Sequence, residues 1–344
     1  MPSATLRVEY RAEDRVYFPT APAGIWRGQL GAALRRAAQA RPASEEASPY
    51  AQLFRKPRSA VRIPDRPARI LGPVGLAGEH VPHPFTLRIA PADHRTAPLR
   101  LAPGASTTVC LELVGTAIRH LPALVAALDG LGQGGLGRAV SQPKGADRRG
   151  TLRLRGAHLQ TGRVSLQVYN GRTWRLPERC APELYEQADG LLEPAVPEQR
   201  EDPSSLRVRF DTPVRLTYEG TAIDDPSSLS APALAHACYR RWAALSLCYA
   251  PDPPSTKTLD AAYEQVQGLG RHVQIAKRDL DPVERARYSA RREKTFHRQG
   301  LRGTIRLAGP PRHLAQWNRW LRAVAPLHLG KDTSMGFGYV TVGV

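Results

Sequence analysis

His297 sits in the run RREKTFHRQG, close behind Arg291, Arg292 and Lys294. Imidazole titrates near neutrality, so it can both give and take a proton. Basic neighbours would draw a phosphate group to it, which makes His297 the first candidate for acid–base chemistry. The plain alternative is a surface histidine in a solvated turn, beside a wet charged run.

A second group lies in LHLGKDTSMGFGYV, Leu327 to Val340, where Gly330, Gly336 and Gly338 surround Lys331, Thr333 and Ser334. Glycines allow positive φ and close backbone approach. Amide N–H groups and the Lys331 ammonium could then hold a phosphate or a bent strand. Ser334 could donate to the same strand, and His328 either bonds phosphate or braces the loop. The GxxxxGK[ST] order of a nucleotide-binding loop is absent. A third group, Arg27, Arg35 and Arg36, lies on IWRGQLGAALRRAAQ. Arg27 and Arg35, eight residues apart, fall on roughly one helical face. Arg36 is expected on a solvated face.

Other chemistry is poorly supported. His80, His83, His94 and His120 share no metal-ligand spacing, and there is no HExxH and no usefully spaced carboxylate pair. Neither a metal nor another cofactor is expected. Cys110, Cys180, Cys238 and Cys248 form no CxxC pair and read as ordinary cysteines. The balance of 49 Lys and Arg against 31 Asp and Glu, a formal +18, suits a polyanionic partner. A GC-rich genome also favours arginine. No run of eighteen apolar residues is present, and the opening MPSATLRVEYRAEDR has no apolar segment, so a cytoplasmic protein without a membrane partner is expected.

The elements that must position these groups form a repeated order. Leu6 to Phe18 reads as a strand, Ile25 to Gln39 as a helix with Leu30 and Leu34 on one face, and Ala51 to Pro82 as an irregular excursion. Strands are expected at Pro84 to Ala90 and Thr107 to Val114, a helix at Ala117 to Asp129, a glycine loop at Gly130 to Gly137, and strands at Thr151 to Leu154 and Arg163 to Val168. The Pro- and acid-rich stretch from Pro177 to Pro203 is a candidate boundary. Beyond it come a strand from Ser205, a helix over Leu234 to Ala250, strands at His272 to Leu280 and Leu301 to Leu307, a helix opened by Pro311, and a final strand from Gly338. Trp26, Trp317 and Trp320 read as packing residues. Both halves follow the β-α-β-β-α-β order of ferredoxin-like, RRM-like domains. The fold class is therefore α+β, with two such domains at 1–200 and 201–344, each carrying a glycine-rich loop.

LHLGKDTSMGFGYV resembles the C-terminal signature of the RAMP proteins of CRISPR systems, most closely the Cas6 pre-crRNA processing endoribonucleases. IWRGQLGAALRRA, SPYAQLFRKP, HPFTLRI, LDGLGQGGLGR, DTPVRLTYEG and RYSARREKTFHRQGLRGTIRLAG are similar to further segments of that family in the same order. The resemblance implies binding of CRISPR repeat RNA and one cut without metal. The 2′-OH attacks the neighbouring phosphorus, leaving a 2′,3′-cyclic phosphate and a 5′-OH. It also implies crRNA and other Cas proteins of an effector complex as partners. Under it, His297 is the expected proton-transfer group, with Arg27 or Arg35 stabilising the phosphorane. The expected RNA-binding set is Arg36, Arg291, Arg292, Lys294, His328, Lys331, Ser334, Gly330, Gly336 and Gly338. Tyr288 and Phe296 either stack on bases or belong to the core.

Two departures stand out. The segment before SPYAQLF lacks the cysteines of many relatives, and Met1 to Glu79 contains no histidine, whereas many Cas6 proteins carry their catalytic histidine in or near the first helix. Either a histidine comes from elsewhere, or an arginine-rich site works by charge alone, or catalysis is lost. The rival reading is a non-cutting RAMP subunit that holds crRNA in an effector complex.

Overall fold

In β1 (Ser3–Ala12), Ala4, Leu6, Val8, Tyr10 and Ala12 are buried, while Arg7, Glu9 and Arg11 between them face solvent. This alternation gives a sheet with one apolar face, and helices cover it. The computed structural model describes residues 1–39, 48–55, 81–90, 98–142, 145–161, 164–177, 205–289 and 294–343.

In chain order the first half contains β1, β2 (Val16–Phe18), α1 (Pro22–Gln39), α2 (Pro49–Phe54), β3 (Phe85–Ala90), β4 (Leu99–Leu101) and β5 (Ser106–Val114). It continues with α3 (Leu121–Leu131), β6 (Leu136–Gln142), β7 (Gly145–Gly150), β8 (Leu152–Thr161) and β9 (Val164–Tyr169). Its main sheet has the order β3-β5-β1-β8-β9, and a smaller one runs β4-β2-β6-β7. Trp26, Leu30 and Leu34 of α1 and Leu124, Val125 and Leu128 of α3 fill the core over the main sheet. Tyr10 donates its hydroxyl to the Leu128 carbonyl at 2.7 Å, so even the polar end of this buried ring is satisfied.

The second half contains β10 (Leu206–Val214), β11 (Leu216–Tyr218), β12 (Thr221–Ile223), α4 (Ala231–Tyr249), α5 (Thr256–His272), β13 (Gln274–Ser289), β14 (Lys294–Ala308), α6 (Pro311–Val324) and β15 (Val340–Gly343). Its main sheet runs β13-β14-β10-β15. Ser230 and Ser255 cap α4 and α5 by accepting from the Ala233 and Thr258 amides. Trp317 and Trp320 are fully buried, and their indole N–H groups donate to Leu269 O and Gln265 Oε1 across to α5. Both therefore pack, as their spacing predicts.

The architecture is α+β with several antiparallel sheets. One core runs from Ala4 to Val168 and the other from Leu206 to Val340. Among the described residues, no helix is long and apolar enough to cross a membrane.

Several sequence expectations need correction. The strand read from Leu6 to Phe18 is two strands, because a turn after Ala12 redirects the chain into the smaller sheet. The Gly130 to Gly137 loop leads into a hairpin, β6–β7, that the sequence reading missed, and so is α5. The excursion from Ala51 opens inside a helix, α2; residues 56–80 and 178–204 lie outside the described residues.

The halves meet through polar and apolar contacts. Tyr249 donates to the Pro82 carbonyl at 2.6 Å, and Thr86 donates to the Pro326 carbonyl at 3.1 Å. Val114, Leu245 and Leu327 form a small shared cluster. The glycine loop closes this seam. Gly338, at φ 80°, has no room for a Cβ, which would collide with the Leu329 carbonyl oxygen. Gly338→Ala should cost about 1–3 kcal/mol, the usual range for forcing such a residue into the left-handed region. A lowered midpoint in thermal unfolding checks this, and an unchanged one refutes the loop's stabilising part.

Candidate functional site

A cleft of about 620 Å³ opens at the seam. Its wall carries Arg215, Arg240, Arg241, Arg298 and Lys331 against a single carboxylate, Asp332. His83, Thr217, Thr333 and Ser334 add uncharged or titratable polar groups to its lining.

Each group is held by an identifiable element. α4 buries Arg241, whose Nε donates to the Leu327 carbonyl at 2.8 Å, while its Nη2 is buried without a hydrogen-bond partner among the described residues. Desolvation pushes the Arg241 pKa down to about 9, with Tyr249 opposing, so the group stays charged at neutral pH. A buried cation left without full compensation is costly unless an anion joins it. Arg215, from the end of β10, forms an ion pair with Asp332 and donates to Gln299 O at 3.0 Å. Arg298 of β14 lies 3.8 Å from the same carboxylate. Asp332 is therefore occupied by two arginines, and the remaining charge faces the cleft.

Lys331 is exposed at the cleft mouth. Partial desolvation, followed by the Arg215 and Arg240 guanidinium groups, holds its amine below the usual lysine range, against the pull of Asp332. The loop around it is tied inward. The amides of Leu329, Lys331, Met335, Gly336 and Gly338 all donate to carbonyls of this chain. These five N–H groups are therefore used inside the protein, and the positive φ of Gly330, Gly336 and Gly338 serves the loop's shape. His328 is buried at φ 60° with its Nδ1 bonded to Phe337 O at 2.8 Å, a brace and not a ligand contact.

Arg27, half-buried on α1, comes from the first half and touches two cleft-lining residues. Its Nε donates to Ser334 Oγ at 3.0 Å, its Nη2 meets His83 Nε2 at 2.9 Å, and its guanidinium lies 5.2 Å from the Phe54 ring centre. Arg35 and Arg36 are exposed farther along α1 and do not line the cleft. The two arginines expected on one face therefore part, since eight residues on a 3.6-residue helix leave a large angular offset. His297 is exposed on the hairpin and bonded to Glu284 on the neighbouring strand. Its neighbour Arg298 lines the cleft, and successive strand residues point to opposite faces. His297 is thus directed away from the other candidates. Arg291 and Arg292 lie outside the described residues, as do the side chains of Lys294, Tyr288 and Phe296.

The structure accordingly brings together Gly330, Lys331 and Ser334 of the expected set on the cleft wall, with Arg27 behind Ser334 and His83. It adds His83, Arg215, Arg240, Arg241 and Arg298, which sequence reasoning missed. The sequence offered only a weak signal for these: DTPVR, CYRR and HRQG are basic pieces with no common spacing.

Comparison with known proteins agrees with this architecture. Residues 1–180 match the AF_1859_N family model, described as an N-terminal domain, and residues 208–340 match the model of the CRISPR-associated endoribonuclease Cas6. No curated protein matches the sequence significantly. The fold is similar to that of a Cas6 product complex, at TM-score 0.53 and 16% identity over 100% of both chains. It is also similar to Thermus thermophilus Cas6, at TM-score 0.51 and 15% identity over 99% of this chain and 98% of that one. A Cas6-RT-Cas1–Cas2 complex contains a third similar fold, at TM-score 0.51 and 10% identity, covering 99% of this chain and 29% of that one.

The charge pattern around Lys331 has a measurable sign. In reductively methylated protein followed by NMR, the Lys331 amine should lose its proton at lower pH than an ordinary lysine. Arg240→Gln should raise that midpoint, and Asp332→Asn should lower it further. An unmoved midpoint in both variants would contradict the assigned surroundings.

Proposed function

We propose that the chain is a Cas6-like CRISPR-associated endoribonuclease that binds CRISPR repeat RNA in the seam cleft and cuts it without metal; the match of residues 208–340 to the Cas6 model and the similarity of the fold to Cas6 structures support this. The observation that carries the reading is Arg241: a buried guanidinium whose Nη2 has no partner among the described residues, on the wall of a cleft whose described lining holds five basic side chains and one carboxylate. Such a site is electrostatically incomplete until an anion enters. Phosphate is the fitting anion, since guanidinium groups offer paired planar donors to its oxygens.

The chemistry follows from what these side chains can do. Attack of a ribose 2′-OH on the adjacent phosphorus needs in-line alignment, a proton acceptor and cations against the charge that develops on the phosphorane oxygens. Arg27, Arg241 and Lys331 supply the cations, and Ser334 fixes Arg27. The products are a 2′,3′-cyclic phosphate and a 5′-OH. We also propose that each half is a ferredoxin-like domain, with a division near residues 200–201. Support comes from the sheet orders β3-β5-β1-β8 and β13-β14-β10-β15, which run strand 2, 3, 1, 4 in both halves, and from the separate cores. An RNA substrate of this kind implies a cytoplasmic setting, and other Cas proteins are the natural recipients of the product.

Two measurements test this reading. Labelled cognate repeat RNA incubated in EDTA should give a single cut with cyclic-phosphate ends, and a 2′-deoxy group at the cut site should abolish it. Binding without any cut would instead assign the chain a guide-holding role. RNA affinity should fall steeply and log-linearly with salt, as counterion release requires. Arg241→Met should weaken binding without changing sequence preference, since phosphate contacts carry little sequence information. A flat salt response would remove the electrostatic basis of the proposal.

A further inference from the structure

The cut needs a proton acceptor at the 2′-OH, and the described histidines differ sharply in what they can reach. His328 is buried under the loop. His297 is turned toward Glu284 and solvent. His120 is bonded to Gln52 Oε1 at 2.8 Å and does not line the cleft. His83 alone among these lines the cleft wall beside Arg240, Arg241 and Lys331.

The imidazole of His83 is anchored from both halves. Tyr249 of α4 holds the preceding carbonyl of Pro82 at 2.6 Å, and Val81 is fully buried. The ring lies among Phe54 and Phe85, with centroids 6.5 and 5.8 Å away. His83 Nδ1 is 3.1 Å from the Leu53 carbonyl oxygen. A carbonyl only accepts, so Nδ1 carries the proton. Nε2 of the neutral ring is then an acceptor, and it receives Arg27 Nη2 at 2.9 Å. One fixed backbone contact therefore sets the tautomer that leaves Nε2 as the basic nitrogen, on a ring that lines the cleft, the arrangement a general base requires.

We infer that His83 is the catalytic base of this chain, deprotonating the 2′-OH of the RNA held in the cleft; this rests on the endoribonuclease reading above. Arg27 is the guard of that nitrogen. An incoming phosphate offers its guanidinium a charged oxygen in place of a neutral ring, and charge-assisted bonds are about twice as strong. Arg27 turns to the phosphate and the Nε2 lone pair faces the sugar. Nε2 takes the proton, the 2′-oxygen bonds to phosphorus and the bond from phosphorus to the 5′-oxygen breaks. The leaving oxygen gains a proton from water, and the imidazolium returns one to water. No oxidant, metal or hydrolytic water is consumed.

The test is single-turnover cleavage of cognate repeat RNA by wild type, His83→Asn, His83→Ala and His297→Ala, with affinity measured in parallel. Asparagine keeps a donor for the Leu53 carbonyl and removes the base. His83→Asn should cut about 10²–10⁴-fold more slowly, the usual worth of general acid–base help, while binding repeat RNA as wild type does. Added imidazole should restore part of the His83→Ala rate, which the loss of a purely structural ring would not allow. Wild-type cutting with an undiminished rate in His83→Asn overturns the assignment and leaves the endoribonuclease reading standing. A rate lost in His297→Ala but kept in His83→Asn also overturns it, in favour of the hairpin histidine. A wild-type protein that leaves its repeat uncut removes both.

Discussion

A Cβ on Gly336 would stand 2.5 Å from the Ala23 Cβ and 3.2 Å from the Leu87 carbonyl oxygen, in a loop that closes the sheet of the other half. This close approach joins the start of α1, the strand β3 and the last turn before β15, and the meeting of the two halves beside the cleft depends on it. With the loop seated here, Ser334 meets Arg27, whose residue lies 307 positions earlier, and Lys331 stands at the cleft mouth. The site is thus a property of the seam, and neither core contains it.

Charge at the seam is arranged with few acids. Asp332 offsets Arg215 and Arg298, and no carboxylate among the cleft-lining residues answers Arg241. A protein in isolation gains nothing by burying a guanidinium this way, because desolvation exceeds what one carbonyl contact returns. A nucleic-acid phosphate turns the same burial to advantage, since low polarity strengthens the attraction once the anion is present. Stability and binding therefore pull in opposite directions at Arg241.

Much of the architecture was legible because local pattern and burial agree. The alternation in β1, the Leu30 and Leu34 spacing of α1 and the Pro311 start of α6 each fold as their periodicity implies. The helix α5 was equally readable, with Ser255 as cap and Leu259, Ala262, Val266 and Leu269 along one stripe. The hairpin β6–β7 was not readable, because glycines and arginines hide its alternation and its pairing with β2 is non-local. His83 was hidden for the same reason. Its neighbours arrive from α1, α2 and α4, and sequence spacing carries no trace of that meeting. His297 drew attention through a basic run that strand alternation then turned outward.

Arg27 is made before Ser334, with most of the second core between them. A nascent chain can bury the first core and most of the second while the cleft still lacks its loop, its Lys331 and the partner of Arg27. The growing polypeptide therefore lacks the assembled cleft until the loop is made. A prematurely ended product that stops before the loop would fold in part yet carry no assembled site.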